Sequence, residues 1–348
     1  MKGVGKSVKS ALWRAFGVLL LSKNKNAKLP IDFTKTRSIL VIRPDRLGDV
    51  ILSTPVYESI KKSFPQATLT VLANRASAGI LADNPFIDRI VEFDKKNPFP
   101  VLQKLSAGKF DLAVVLNRMF SSTAAMLVLL SKAPLRVGYK TREGAGVYNI
   151  ALAGNENAQH EIQNNLDLLR YIGAPKICDA PGIYFNNAET QKIDSLVKEK
   201  NRFPERPLIL VKPGTRVSAW GWDLNKFQSL CHRLLSEQLA EVFIIQGPGE
   251  KDMIDSLFRQ TKPVILPVLS AKELACMIRQ SRLLLCNHTG IMHMASAVRT
   301  PVVAIFKHGD KARWSPCNTK YRILEEHNGS TLSVEKVLET INDILAQQ

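Results

Sequence analysis

In VIRPDRLGDVILSTP, residues 41–55, the aspartate Asp49 stands where an apolar β-like run gives way, through a charged turn, to a helix-like pattern. A carboxylate at such a join has two physical uses. It can cap the helix ahead of Val50 by accepting from a free backbone N–H. Presented at a strand end, it can instead take a proton from an attacking hydroxyl. Pro55 suits the first turn of the helix, where a missing N–H costs little. No G-x-G-x-x-G accompanies the turn, so dinucleotide binding is not expected there. The residues alone leave capping and base catalysis both open.

A second group, LLLCNHTGIMHMASA at residues 283–297, sets His288, Thr289 and Gly290 between a buried-strand pattern and a helix. Free N–H groups and the dipole at a helix start make an anion site suited to a diphosphate. Thr289 is expected to cap this helix and to offer its hydroxyl. His293, about one turn in, points toward the same anion or packs in the core with Ile291, Met294 and Ala295. His288 and His293 are five apart rather than four and no acid lies near them, so no metal site is expected. A third group, VKPGTRVSAWGWDLNKF at residues 211–227, ends a strand with Pro213, Gly214, Thr215 and Arg216. Small residues admit a ligand, and a guanidinium pairs with phosphate or carboxylate. Trp220 and Trp222 read as core or hinge packing, or as one ring stacked on a base or sugar.

Holding three such groups requires strands that all end on one edge. At 348 residues the chain has the length of two domains. From Ser38 onward it alternates β-branched runs (SILVIRP, TLTVLAN, IDRIVEF, DLAVVLN, LRVGY) with helical patterns, notably over residues 50–64 and 122–130. That alternation specifies parallel sheets with crossover helices. AQHEIQNNLDLLRYIGAP reads as one helix with Ile162, Leu166, Leu169 and Ile172 on a face, stopped at Gly173. Pro, Asn and charge between residues 180 and 207 mark the inter-domain connection, after which the alternation restarts and closes on a helix over 333–348. The fold class expected is α/β, with Rossmann-like domains at 38–180 and 181–348 facing each other across a cleft. A basic amphipathic extension, residues 1–37, precedes them.

That extension carries nine Lys and Arg residues against the single acid Asp32. Val4, Val8, Leu12, Phe16 and Leu19/Leu20 recur at helical steps. Its apolar run AFGVLLL is far shorter than the ~20 residues that span a bilayer, and no signal cleavage site follows. One reading is a helix lying on an anionic membrane surface, with Trp13 and Phe16 near the headgroups; the other is a helix packed on the protein's own core. The net charge of +17 draws polyanions of any kind. Without an RNA-recognition, helix-turn-helix or zinc-finger pattern, nucleic acid is not the expected partner. Five scattered cysteines with no C-x-x-C pair argue against a disulfide framework and a zinc site, and fit a reducing cytoplasm.

The three groups, in this order and at these spacings, resemble glycosyltransferase family 9, the ADP-heptose:lipopolysaccharide heptosyltransferases of GT-B fold. The first matches that family's I-R-x-x-x-L-G-D-V-x-x-x-T-P signature. The likeness runs from about residue 38 to 316 and includes HEIQNNLDLLRYIGA, IIQGPGE, TGIMHMASAVRTPVVAIF and ARWSP. It implies an inverting transfer, without metal or other cofactor, in which an acceptor hydroxyl displaces ADP from the sugar's anomeric carbon. Asp49 would be the general base. Thr289 and Gly290 would hold the diphosphate, with His288 beside them and His293 at the family's helix histidine, while Thr215 and Arg216 line the other side and Glu250 meets the adenosine. Arg43, Arg46, Arg118, Arg136, Lys140 and Arg142 would hold an acidic, lipid-linked inner-core saccharide at the cytoplasmic face of the inner membrane.

The sequence also departs from that family. Trp220 stands where the family has a lysine, Asp223 replaces a proline, and His288 replaces the acid of D-T-G. F-G-P-T-D becomes Phe306-Lys307-His308-Gly309-Asp310. One cation is lost at Trp220, and cationic capacity appears at Lys307 and, when protonated, His288. Either these changes compensate around the diphosphate, or they mark another nucleotide sugar or a non-catalytic GT-B protein that binds a sugar nucleotide or glycolipid. A further alternative is another GT-B enzyme, such as a sugar-nucleotide epimerase.

Overall fold

The computed structural model describes residues 13, 28–32, 34–154, 158–326 and 330–347. The chain forms two compact units, Met1–Asp179 and Ala180–Gln348. The first runs β1 (Ser38–Arg43), α1 (Leu47–Ile51), α2 (Thr54–Ser63), β2 (Thr68–Asn74), α3 (Arg75–Ala78), β3 (Arg89–Phe93), α4 (Phe99–Ala107), β4 (Leu112–Val115), α5 (Ser122–Leu130), β5 (Leu135–Tyr139), β6 (Ile150–Leu152) and α6 (Glu161–Tyr171). The second runs α7 (Asn187–Lys200), β7 (Leu208–Lys212), α8 (Leu224–Ser236), β8 (Glu241–Ile244), α9 (Lys251–Leu257), β9 (Val264–Ile265), α10 (Ala271–Gln280), β10 (Leu283–Asn287), α11 (Gly290–Val298), β11 (Val302–Phe306), α12 (Lys311–Trp314), β12 (Tyr321–Glu325) and α13 (Val334–Ala346).

The first sheet has the order β3-β2-β1-β4-β5-β6 and the second β9-β8-β7-β10-β11-β12. Every pairing is parallel. Both sheets are therefore doubly wound in one topology, with the strand order reversing between β1 and β4 and again between β7 and β10. Their central strands are apolar without alternation: β1 reads SILVIR and β10 LLLCN, buried almost throughout, as strands covered by helices on both faces must be. Leu40, Ile42, Leu72 and Val115 pack with Ala124, Leu127 and Val128 of α5. In the second unit Val211, Ile244, Leu285 and Ile305 pack with Phe227 and Leu230 of α8 and with Val337 and Ile341 of α13. Each such Val, Leu, Ile or Phe side chain contributes roughly 1.5–3 kcal/mol by leaving water, and the resulting rigidity fixes where the strand ends stand.

The structure departs from the expected elements in three places. The helix expected over residues 50–64 begins at Leu47 and breaks after Ile51, where Thr54 Oγ1 donates to the Ile51 carbonyl at 2.8 Å and Pro55 occupies the first turn of α2. The stretch that reads as a connection contains the 14-residue α7, opened by a capping box in which Asn186 and Glu189 serve each other's backbone N–H groups. Strands β6 and β12, at sheet edges, extend the expected set.

Most of the extension over residues 1–37, including every apolar position of its pattern, lies outside the described residues, and so does its membrane-helix reading. Trp13 is described, and of the two placements expected for it the structure has the one against the protein's own core. It is half-buried with its ring 5.5 Å from that of Phe120, packed against the first unit's core rather than held out toward headgroups. Among the described residues no helix is long and apolar enough to cross a membrane.

Candidate active site

Parallel strands bring their carboxyl ends to one edge, and Arg43, the last residue of β1, stands at the first unit's switch point. Its side chain is 3% exposed. Nη1 donates to the Leu116 carbonyl beyond β4 at 2.8 Å, and Nη2 donates to Glu161 Oε1 at 2.9 Å and to Asp49 Oδ1 at 3.2 Å. Nε lies 3.3 Å from Asp45 Oδ2. Burial works against the charged guanidinium, but Asp49, Asp45 and Glu161 outweigh it and raise the pKa above its ordinary value. Arg43 is thus an internal ion, whereas its residue type had suggested a cation open to an acceptor. Burial and three carboxylates account for the difference.

Asp49 is the third residue of α1, and the N-cap position belongs to Arg46, whose carbonyl accepts from Val50 N at 3.0 Å. Capping is therefore not what Asp49 does. Its side chain is 25% exposed and lines a cavity of about 620 Å³ with Asp45, Arg46, Asn74, Ser77 and Lys95. Burial raises its pKa, Arg43 pulls it back, and Asp45 and Glu161 add to the rise. A carboxylate of raised proton affinity, anchored on one side and open to a cavity on the other, is equipped to accept a proton.

Of the remaining first-unit cations, exposed Arg46 lines the same cavity, Arg118 follows β4, and Lys140 and Arg142 follow β5, all on the carboxyl edge. Arg136 does not join them. It lies near the amino end of β5, where its Nε donates to the Val147 carbonyl at 2.8 Å and its Nη1 to the Ala133 carbonyl at 3.1 Å, bracing a turn.

In the second unit three strand-end loops are tied together. Asn287, fully buried at the end of β10, donates from Nδ2 to the Pro213 carbonyl at 2.7 Å and accepts from Trp222 N at 2.9 Å. His288 Nδ1 bonds the His308 carbonyl at 2.9 Å, and its ring stacks on Phe306 at 4.1 Å. Thr289 has N-cap backbone geometry, but its hydroxyl does not close on α11. Oγ1 is buried without a hydrogen-bond partner, directly before Gly290 and the free amides of the helix start. Arg216 is exposed in the loop after β7, where Thr215 Oγ1 donates weakly to the Val217 carbonyl at 3.4 Å.

Several second-unit side chains are engaged within the protein itself. Glu250 is engaged within the protein: it takes Lys212 Nζ at 2.5 Å and the Gly247 amide at 2.6 Å, directly above Gly214, where a Cβ would come within 2.2 Å of its Oε1. His293 is 4% exposed on α11 with its ring 6.2 Å from that of Trp314, the buried alternative. Burial lowers the pKa of His288 despite the bond to His308, which works against the protonated form in which it would be a cation. Lys307 Nζ pairs with Glu326 Oε1 at 3.7 Å. The two tryptophans divide their roles. Trp222 is core, with Nε1 donating to the Leu332 carbonyl at 3.1 Å, and Trp220 is 44% exposed, 5.8 Å from the His308 ring.

Sequence reasoning passed over Asp45, Glu161, Lys95, Lys212 and Asn287. Asn287 adjoins a motif already singled out, and Glu161 opens a recognised helix. Nothing in either stretch shows a partner more than seventy residues away.

Two α/β units of identical strand order, each with polar groups gathered at its switch point, give the architecture of a GT-B glycosyltransferase. The sequence profile of glycosyltransferase family 9 (heptosyltransferase) matches residues 99–341, and the chain belongs to this family of enzymes. Lipopolysaccharide heptosyltransferase 3 of Escherichia coli is 24% identical over 289 residues, covering 77% of this chain and 83% of that protein. The crystal structure of a family 9 glycosyl transferase from Veillonella parvula superposes with a TM-score of 0.81 at 19% identity, covering 90% of this chain and 98% of that one. E. coli ADP-heptose lps heptosyltransferase II gives 0.75 at 20% identity, covering 89% and 99%.

Proposed function

We propose that this glycosyltransferase moves a heptose or closely related sugar from ADP-heptose to an anionic, lipid-linked saccharide of the lipopolysaccharide inner core, by a single inverting displacement without metal. The observation that carries the reading is the Asp49 carboxylate, fixed on Arg43 through Oδ1 and open to a cavity rimmed by Arg46 and Lys95. The matched family profile begins beyond this turn, so the role of Asp49 rests on its geometry and its motif.

In the proposed reaction an acceptor hydroxyl enters the first unit's cavity and Asp49 takes its proton as the oxygen attacks the anomeric carbon. The bond from that carbon to the diphosphate breaks, and the nucleoside diphosphate leaves. Its charge is met by the amides at the start of α11, the unpartnered Thr289 hydroxyl and Arg216. Arg46, Arg118, Lys140 and Arg142 attract the acidic acceptor, and the basic extension brings the enzyme to the membrane where that acceptor lies. The named relatives, a lipopolysaccharide heptosyltransferase and an ADP-heptose enzyme, support this choice of donor and acceptor.

Asp49→Asn tests the base. Donor affinity by calorimetry is expected to stay within about twofold, while turnover with ADP-heptose falls by about a hundredfold or more. Undiminished turnover would remove Asp49 from the chemistry. Running the wild-type assay beside other nucleotide sugars identifies the donor directly.

A further inference from the structure

Glu161 lies 118 residues beyond Arg43 in sequence and is 1% exposed. It opens α6, whose buried Ile162, Leu166 and Leu169 seat that helix in the first unit, and whose cap is His160 accepting from Ile162 N at 3.3 Å. Of the carboxylates around Arg43, Glu161 makes the closest contact, 2.9 Å, and it does so through the same Nη2 that reaches Asp49. It forms no part of the cavity wall on which Asp49 opens.

The charge count is unusual for a purely structural ion pair. One guanidinium faces three carboxylates, two of them, Asp45 and Asp49, close to it in sequence, and either alone matches its charge. A third carboxylate, itself 1% exposed, adds buried negative charge that neutralising the guanidinium does not require. What it does is hold the guanidinium between two elements and oppose ionisation of its neighbours.

We propose that Glu161 is a positioning residue for Asp49, pinning Arg43 at the end of β1 and sharing Nη2 with the aspartate, so that Asp49 stays aimed at the cavity and basic enough to accept a proton. This rests on the reading of Asp49 as the base. The charged groups facing Asp49 are Arg43 of β1, Asp45 and Arg46 in the following turn, Glu161 of α6, and Lys95 across the cavity. Tyr57 of α2 and Tyr139 of β5 face the same node as neutral phenols, their pKa values raised by burial. With Glu161 uncharged, Arg43 serves two carboxylates rather than three, and the proton affinity of Asp49 falls.

Two readouts on the full chain separate this idea from the one beneath it. NMR of isotope-labelled aspartate carboxyls, with Asp49→Asn identifying the resonance, follows the titration of Asp49 without reference to turnover; steady-state kinetics gives the acid limb of kcat/KM. In Glu161→Gln the Asp49 midpoint is expected to fall by about one pH unit and the acid limb to move with it. Turnover on the plateau should drop about tenfold with donor KM unchanged. Glu161→Asp, which keeps the charge but shortens the reach, should restore part of each effect, and it carries the comparison alone if the glutamine variant does not fold. A midpoint and acid limb that stay at wild-type values in these variants overturn the proposal. A midpoint that falls while the acid limb stays put upholds the coupling of Glu161 to Asp49 and overturns the base reading by itself.

Discussion

At Asp49, burial pushes the carboxyl pKa up, Arg43 pulls it back, and Asp45 and Glu161 add to the rise. The sign of the consequence for stability follows from linkage. A carboxyl whose folded pKa exceeds its unfolded value, about 3.9, makes its full contribution below that value and loses it as pH rises through the folded pKa. Asp49→Asn, neutral throughout, is therefore expected to gain on the wild type as pH rises from about 4 to about 8, by on the order of 1 kcal/mol per unit of raised pKa. Urea midpoints at each pH measure the gain, and a difference that does not grow with pH would show that ionised Asp49 carries no cost. The same variant is expected to lose turnover, so the residue exchanges stability for chemistry, as functional groups commonly do. At this scale the sequence showed which residue types stood where but not their partners. Asp49 was visible as a carboxylate at a strand end, whereas Arg43 looked like a surface cation, because the acid that buries it arrives from Glu161, 118 residues away.

The strand-end loops take their shape from the sheets that carry them. Beyond β11 the chain turns at Gly309, whose φ of +109° suits glycine, and a Cβ there would lie 2.4 Å from the His288 ring. That ring is held by its stack on Phe306 and its bond to the His308 carbonyl, so it cannot retreat without giving up one of them. Gly309→Ala is accordingly expected to destabilise the protein by about 1–3 kcal/mol and to weaken donor binding several-fold, as His288 adjoins Thr289. Denaturation and calorimetry check the two effects, and a variant equal to wild type in both would mean that the loop adapts freely. Elements were the most legible level of the sequence, because buried parallel strands and amphipathic helices write their periods directly into it. What escaped was marginal in that signal: β6 has three residues, and β12 reads YRILE with its first two positions exposed. The capping box of α7 was present at Asn186 and Glu189, but the surrounding Pro, Asn and charge read as a connection.

For the whole molecule the distinctive quantity is charge. Residues 1–37 hold nine basic residues and one acid, whereas many cations of the two units are matched locally, as in Lys61 with Asp88, Lys272 with Glu189 and Lys212 with Glu250. Basic residues near an anionic bilayer contribute about 1 kcal/mol each and act only within a Debye length of ~10 Å. Under the proposed function, in which the acceptor is anchored in lipid, attraction of this kind confines the search for that acceptor to a surface. Replacing Lys2, Lys6, Lys9 and Arg14 together by Glu leaves Trp13 itself in place while reversing the local charge. The wild-type chain is expected to bind vesicles containing anionic phospholipid and to be released as salt is raised toward about 0.5 M. The substituted chain is expected to bind at least about a hundredfold more weakly, with unchanged turnover on a short, water-soluble acceptor. Retained binding by the substituted chain would move the membrane contact to the basic groups at the strand ends of the first unit, and the acceptor would then have to be drawn to Arg46, Arg118, Lys140 and Arg142 from the same surface they occupy.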